Sequence, residues 1–339
     1  MMNVLSLLVE GNSLTQAQAE TFFGDVMQGN IAPELLASIL TALKIKGETP
    51  EEIAGAAVAV RQFATSFPTQ TLPVSDCVGT GGDGANTINI STTAAILAAA
   101  CGIPMAKHGN RSVSSMSGSA DLLEAFGVNL SMTPETASQC LQQANLCFLY
   151  APAYHPGFKY AGPVRKAMGI RTLFNILGPL VNPASPSVML MGVYTPELIQ
   201  TLAKSLQLTG VEKGWVVHGS GLDEIALHGE TQVCEISNGQ LSNKTITPED
   251  FGLSRYSLDD IKGGTPQENA EIIKQILSGN GEDAHNSAVI INCAALLYLH
   301  GKALDLKAAA SVAQQVLSSG EALTKLEQLV AISNQAGAQ

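Results

Sequence analysis

Val74-Ser75-Asp76-Cys77-Val78-Gly79-Thr80-Gly81-Gly82-Asp83-Gly84 is the stretch on which the fold turns. Val74–Val78 is a short apolar run of the kind that forms a buried strand. It runs straight into four glycines within six residues. Glycine lets the backbone turn tightly and bring its amides up to an anion. Asn86, Thr87, Asn89, Ser91, Thr92 and Thr93 follow, and then an alanine-rich helix near Thr92–Ala100. Strand, turn and helix N-terminus in that order make an anion-binding unit. An ordinary loop before a capped helix would account for a single G-x-G, but not for this density of donors.

Downstream, the short apolar runs Ile103–Ala106, Leu146–Leu149, Val188–Val193 and Gly214–Val217 alternate with amphipathic stretches. Thr133-Pro134-Glu135 and Thr195-Pro196-Glu197 each read as N-cap, N1 and N2 of a helix. Strands alternating with helices predict an α/β lobe with a mainly parallel central sheet covered on both faces. Upstream, Thr15–Gln28 and Glu34–Lys46, with Pro33 in the first turn, carry helical spacing. Thr49-Pro50-Glu51-Glu52 is a capping box that starts a helix to about Ala64. Phe67-Pro68 and Leu72-Pro73 then read as a linker. The expected division is a small all-helical lobe over 1–72 and an α/β lobe over 73–339, with a helical tail at Asp305–Ser333.

The length of 339 residues suits two lobes, and 45% apolar with 14% charged residues suits a well-buried globular chain. A net charge of −11 disfavours a general nucleic-acid binder. No basic segment followed by an apolar one marks a signal peptide, and no uninterrupted apolar run is long enough to span a membrane. Cys77, Cys101, Cys140, Cys147, Cys234 and Cys293 form no C-x-x-C pair and read as reduced thiols of a cytoplasmic protein.

Gly79, Gly81 and Gly84 also satisfy the dinucleotide fingerprint G-x-G-x-x-G. That fingerprint needs an acid about 20 residues on to hold a ribose. Between Gly84 and Asp121 there is no Asp or Glu. The same acid-free gap holds Lys107-His108-Gly109-Asn110-Arg111-Ser112-Val113-Ser114-Ser115 and Ser117-Gly118-Ser119. This polar segment follows a strand, so it should reach the same sheet edge and make the site two-sided. Asp223-Glu224, on a short loop after a strand, suits Mg²⁺ bridging substrate phosphates. A solvated acidic pair is the plain alternative. Arg165 is a candidate carboxylate clamp, with an ordinary interdomain arginine as its alternative. His108 and His155 read as structural residues ahead of general bases.

GTGGDG at 79–84, NTINIST at 86–92, KHGNRSVSSMSGSADLLEAFG at 107–127, GPVRKAMGIRTLFNILGPLVNP at 162–183 and GLDE at 221–224 together resemble the anthranilate phosphoribosyltransferases over nearly the whole chain. The resemblance is to the form without a fused amidotransferase. It implies transfer of the phosphoribosyl group of phosphoribosyl pyrophosphate (PRPP) to anthranilate, with Mg²⁺, as the second step of tryptophan synthesis. By matching position, it assigns PRPP to Gly79, Gly82, Asp83, Thr87, Asn89, Ile90, Ser91, Thr92, the run Lys107–Ser115 and Ser119. It assigns metal to Ser91, Asp223 and Glu224, and anthranilate to Gly79, Asn110 and Arg165. It implies a nucleoside phosphorylase/phosphoribosyltransferase-like fold, a part of about 166–186 returning to the helical lobe, a homodimer, and association with anthranilate synthase as a further expectation. No covalent nucleophile is expected. A pyrimidine-nucleoside-phosphorylase-like enzyme and a non-catalytic nucleic-acid-binding homologue are the competing readings.

Overall fold

The computed structural model describes residues 4–68, 73–112 and 115–335. The strands are β1 (Ser75–Gly79), β2 (Met105–Gly109), β3 (Leu146–Tyr150), β4 (Val188–Gly192), β5 (Lys213–Gly219), β6 (Thr231–Ser237) and β7 (Gln240–Ile246). They form one sheet in the order β3-β2-β1-β4-β5-β6-β7. The first five are parallel, and β6 and β7 add an antiparallel hairpin at one edge. The chain builds outward from β1 to β3, then returns to the other side of β1 with β4. The order therefore reverses between β1 and β4, which is where ligands bind in open α/β sheets.

Side chains alternate across the sheet, as strand geometry requires. Leu190, Trp215, Val217 and Val233 face a core built with the helices Ile90–Ala100 and Asp283–Leu299. Met189, Met191, Val216 and Cys234 face the other way, toward the helix Leu198–Leu208. This second core runs on without a break into the N-terminal helices Gln16–Gln28, Pro33–Lys46 and Pro50–Gln62. Ala161, Val164, Leu173, Phe174, Leu177 and Val181 belong to it as well. The Phe23 and Phe174 rings meet edge to face at 5.9 Å.

Thr15 and Thr49 form full capping boxes, and Thr133 caps its helix through the Thr136 amide. The expected cap at Thr195 is not formed. The helix begins at Leu198, and the Thr195 hydroxyl instead donates to the Glu197 carboxylate. That is the local side-chain competition such residues offer. The alanine-rich helix begins at Ile90, two residues before its expected start, because buried Ile90 already belongs to the core. Gly320, at φ +77°, splits the C-terminal tail into Leu306–Ser319 and Glu321–Ser333. The β6–β7 hairpin is not among the expected elements. Residues 69–72 of the expected linker lie outside the described residues.

Glu52 ties the helical lobe together. It is fully buried, and its carboxylate accepts from the Leu14 amide at 2.9 Å, the Thr49 amide at 2.8 Å and Lys46 Nζ at 2.9 Å. Removing it leaves buried donors unpaired, so Glu52→Ala is expected to lower stability by about 3 kcal/mol or more. The exposed neighbour change Glu51→Ala should stay within about 0.5 kcal/mol. Denaturant midpoints of the two variants check this, and equal midpoints would discard the role given to Glu52.

Candidate active site

The C-terminal ends of β1, β2, β4 and β5 open into a cavity of about 950 Å³. Its far wall comes from residues 151–181, including His155, Phe158, Arg165, Phe174 and Pro179. The glycine turn on its floor needs its glycines: Gly81, Gly82 and Gly84 all have positive φ, between 70° and 83°.

The loop after β5 lies directly on this floor. A side chain at Gly79 would run into the Asp223 carboxylate, and one at Gly192 into the Asp223 backbone. With both positions bare, the Gly81 amide donates to Asp223 Oδ2 at 2.6 Å, and the Ser91 amide donates to Glu224 Oε1 at 3.1 Å. Asp223 is buried and Glu224 half-buried. Burial, together with the neighbouring Asp83 carboxylate, pushes Asp223 up to about 7. Burial and then the charge of Asp223 push Glu224 up to about 8. Among the described residues no Lys, Arg or His side chain forms an ion pair with these oxygens. They suit a hard ion that keeps part of its water, such as Mg²⁺. Among the described residues, no three His, Cys, Asp or Glu side chains converge on one point, so the protein offers such an ion a partial shell. Ser91 reaches this cluster through its backbone.

His218 seats the same loop. Its Nδ1 lies 2.8 Å from the Val193 carbonyl, and its Nε2 accepts from the Gly221 amide at 3.1 Å. A carbonyl can only accept and an amide can only donate, so the hydrogen sits on Nδ1.

The second polar segment arrives on β2. Lys107 is buried, and its Nζ donates to the Cys77 carbonyl at 2.7 Å beneath the turn. His108 is also buried. Its Nδ1 lies 3.2 Å from the Gly178 carbonyl, and its Nε2 lies 3.2 Å from His155 Nε2. Burial lowers both rings, His108 to about 3 and His155 to about 4. They are neutral at pH 7 and join β2 to the far wall, in line with the structural reading. The expectation that Arg111 offers its charge to an anion meets a different arrangement. Its guanidinium is already forked onto Glu124 at 2.7 and 2.8 Å and reaches Asp121 at 3.1 Å. Asp121 also accepts from the Ser112 and Gly118 amides at 2.9 and 3.0 Å. The first acids after the acid-free gap thus fold back to brace it. Ser119 Oγ donates to the Asn110 carbonyl at 3.3 Å. Val113 and Ser114 lie outside the described residues. The remaining expected residues, from Gly79 through Thr92 and from Lys107 to Ser119, line the one cavity.

Arg165, half-buried in the helix Phe158–Met168, stacks over the Phe174 ring at 5.3 Å. Burial holds its guanidinium below the ordinary arginine range. Among the described residues no carboxylate pairs with it. Arg171 is a site residue that the sequence does not single out. It donates through Nη2 to the Gly82 carbonyl at 2.8 Å and lies over the Tyr194 ring at 4.2 Å. Tyr194 is itself tied to the turn, its amide donating to Thr80 Oγ1 at 3.2 Å. Charge and position alone do not separate Arg171 from an ordinary surface arginine, and only the fold brings it to the turn.

Two family models match this chain. The glycosyl transferase family helical bundle domain covers residues 2–64, and the glycosyl transferase family a/b domain covers residues 72–323. The chain is 72% identical to the anthranilate phosphoribosyltransferase of Colwellia psychrerythraea, over 98% of this chain and 92% of that one. The crystal structure of the anthranilate phosphoribosyltransferase from Thermus thermophilus superposes with a TM-score of 0.93 at 41% identity, covering 98% and 99% of the two chains. The Saccharomyces cerevisiae enzyme in complex with PRPP and Mg superposes with a TM-score of 0.89 at 29% identity, covering 98% and 97%. The same yeast enzyme is also known in complex with 4-fluoroanthranilate.

The raised carboxyls give a pH signature. Between about pH 4 and 8 the folded chain holds protons on Asp223 and Glu224 that the unfolded chain has released, so their contribution to stability falls as pH rises through that window. A cation bound there displaces those protons. A fixed millimolar Mg²⁺ concentration should therefore raise the melting temperature more at about pH 8.5 than at about pH 6. Equal gains at both pH values would contradict the cation site.

Proposed function

The chain belongs to the anthranilate phosphoribosyltransferases of the glycosyl transferase family, and from that premise we propose how its own residues divide the work. The enzyme transfers the phosphoribosyl group of PRPP to the amine of anthranilate, releasing pyrophosphate. One observation carries the assignment of roles. A half-buried Arg165, with no carboxylate partner among the described residues, lines the same cavity as an amide-rich turn and the carboxyls of buried Asp223 and half-buried Glu224. That set fits one substrate with a carboxylate and another with phosphates and a metal.

PRPP lies along the turn Gly79–Gly84 and the helix start Asn89–Thr92, where amides and hydroxyls meet its phosphates. Lys107–Ser115 and Ser119 close the other side. Asp223 and Glu224, with Ser91, would hold Mg²⁺, which supplies positive charge to the departing pyrophosphate. The bond from C1 of the ribose to the pyrophosphate oxygen breaks with its electron pair, the amine nitrogen bonds to C1, and that nitrogen then loses one proton to solvent or to the released pyrophosphate. An aromatic amine is neutral at pH 7, so positioning is the main task. Arg165 takes the anthranilate carboxylate, with Gly79 and Asn110 beside it. Neutral, buried His108 and His155 hold the wall rather than move the amine proton. The exposed apolar side chains Val9 and Ile45 of the helical lobe, 72% and 82% accessible, support a homodimer through that lobe. Among the described residues no helix is long and apolar enough to cross a membrane.

Loss of anthranilate fluorescence with PRPP and Mg²⁺ is the direct assay. Turnover of thymidine with phosphate in its place would favour the nucleoside phosphorylase reading. Arg165→Ala is expected to raise the anthranilate KM by about 10–100-fold with PRPP binding kept, as loss of a charged hydrogen bond does. Unchanged anthranilate kinetics would remove the clamp. Asp223→Asn with Glu224→Gln should lower kcat by about 10²-fold or more, and full activity at ordinary Mg²⁺ would rule out the metal role.

A further inference from the structure

The PRPP turn is also held by residues 261–264, to which no role is given above and of which Gly264 lines the cavity. Residues 261–264 run antiparallel to residues 86–88. The Ile88 amide donates to the Ile261 carbonyl at 3.1 Å, and the Gly263 amide donates to the Asn86 carbonyl at 2.9 Å. Gly263 is bare for a reason: a side chain there would press on the Thr87 carbonyl at 2.6 Å and on Asn269 Oδ1 at 2.7 Å. Asn269 itself lies in the first turns of the helix Pro266–Leu277 and is 1% exposed. A polar group buried that deeply needs hydrogen-bond partners.

Its pairing has a direction. The Gly264 amide donates to Asn269 Oδ1 at 2.7 Å, so the Asn269 nitrogen must face the other way. Asn269 Nδ2 then donates to Asn89 Oδ1 at 2.9 Å. Asn89 Nδ2 in turn donates to the Ser117 carbonyl at 3.0 Å, and Ser117 Oγ donates back to Asn89 Oδ1 at 3.1 Å. Both ends of this relay are backbone groups of fixed polarity, an N–H at Gly264 and a C=O at Ser117. Neither side-chain amide can flip without setting two donors or two acceptors against each other. The relay joins the helix start after β1 to the polar segment after β2, the two sides of the cavity floor. Among the described residues one amide hydrogen of Asn89 has no partner, and Asn89 lines the cavity.

We propose that Asn269 is a positioning residue for PRPP: it fixes the orientation of the Asn89 amide and, through Asn89 and Ser117, the spacing of the two segments that grip the phosphoribosyl group. This rests on the placement of PRPP at Asn89 given above. Asn269 touches no substrate, because it stands behind Asn89.

Asn269→Asp separates this role from plain packing. The carboxylate is nearly isosteric and still accepts the Gly264 amide, but it cannot donate to Asn89 Oδ1. The expected result is a PRPP KM raised about tenfold or more, an anthranilate KM at saturating PRPP within about twofold, and a far-UV spectrum of the folded chain. Asn269→Ala, which adds no charge, should show the same split between the two KM values. Asn89→Ala should raise the PRPP KM as well, and adding Asn269→Asp to it should raise it little further. If Asn89→Ala weakens PRPP but both Asn269 variants keep the wild-type PRPP KM, the positioning role is overturned while PRPP at Asn89 stands. Equal increases in both KM values would reduce Asn269 to a packing residue and overturn it too. A wild-type PRPP KM for Asn89→Ala would sink this inference together with the placement beneath it.

Discussion

The site depends on one close approach. The Asp223 backbone lies against the ends of β1 and β4, where Gly79 and Gly192 leave no Cβ to meet it. Any side chain at either strand end would lift the loop that carries Asp223 and Glu224. The two glycines therefore act less by adopting unusual dihedrals than by being thin. They let a carboxylate pair sit within hydrogen-bond distance of amides of the glycine turn and of the helix start that follows it. Buried acid and a turn of backbone amides thus share one floor.

This changes where the positive character of the site comes from. The acid-free gap between Gly84 and Asp121 suggests cations offered to an anion. Folded, Lys107 underpins the turn through the Cys77 carbonyl, and Arg111 is matched by Glu124 and Asp121. A chain with net charge −11 thus presents oriented backbone amides and a helix start at this floor, with Lys107 and Arg111 already engaged. Dipoles fixed by the fold need no reorganisation when charge develops on a leaving group, which is the circumstance in which they are most effective.

Local chemistry is readable in the sequence. Thr15, Thr49 and Thr133 cap the helices they precede because a cap needs only its own next three residues. Five parallel strands fall within three residues of their expected places because buried strands are apolar runs. Thr195 misleads because its hydroxyl has a nearer partner in Glu197. The β6–β7 hairpin does carry a signal: Asn238-Gly239 is a two-residue turn with both residues at positive φ, 52° and 72°. Asn269 carries none, and Arg171 stands in the quoted stretch 162–183 with no role assigned to it. Their partners, Gly82 and Asn89, lie 89 and 180 residues away. Nothing in the composition around either residue announces a contact that only the completed sheet brings about.

Arg165 and Arg171 are six residues apart on one stretch of chain, the first in the helix Phe158–Met168 and the second just past its end. One stacks on Phe174 inside the second core, and the other is fastened to Gly82 on the phosphate turn. The two halves of the site therefore share a short length of covalent backbone as well as a cavity. If a ligand in one half favours one separation of turn and helix, it biases the other half, and thermodynamic linkage makes any such influence equal in size and sign in both directions.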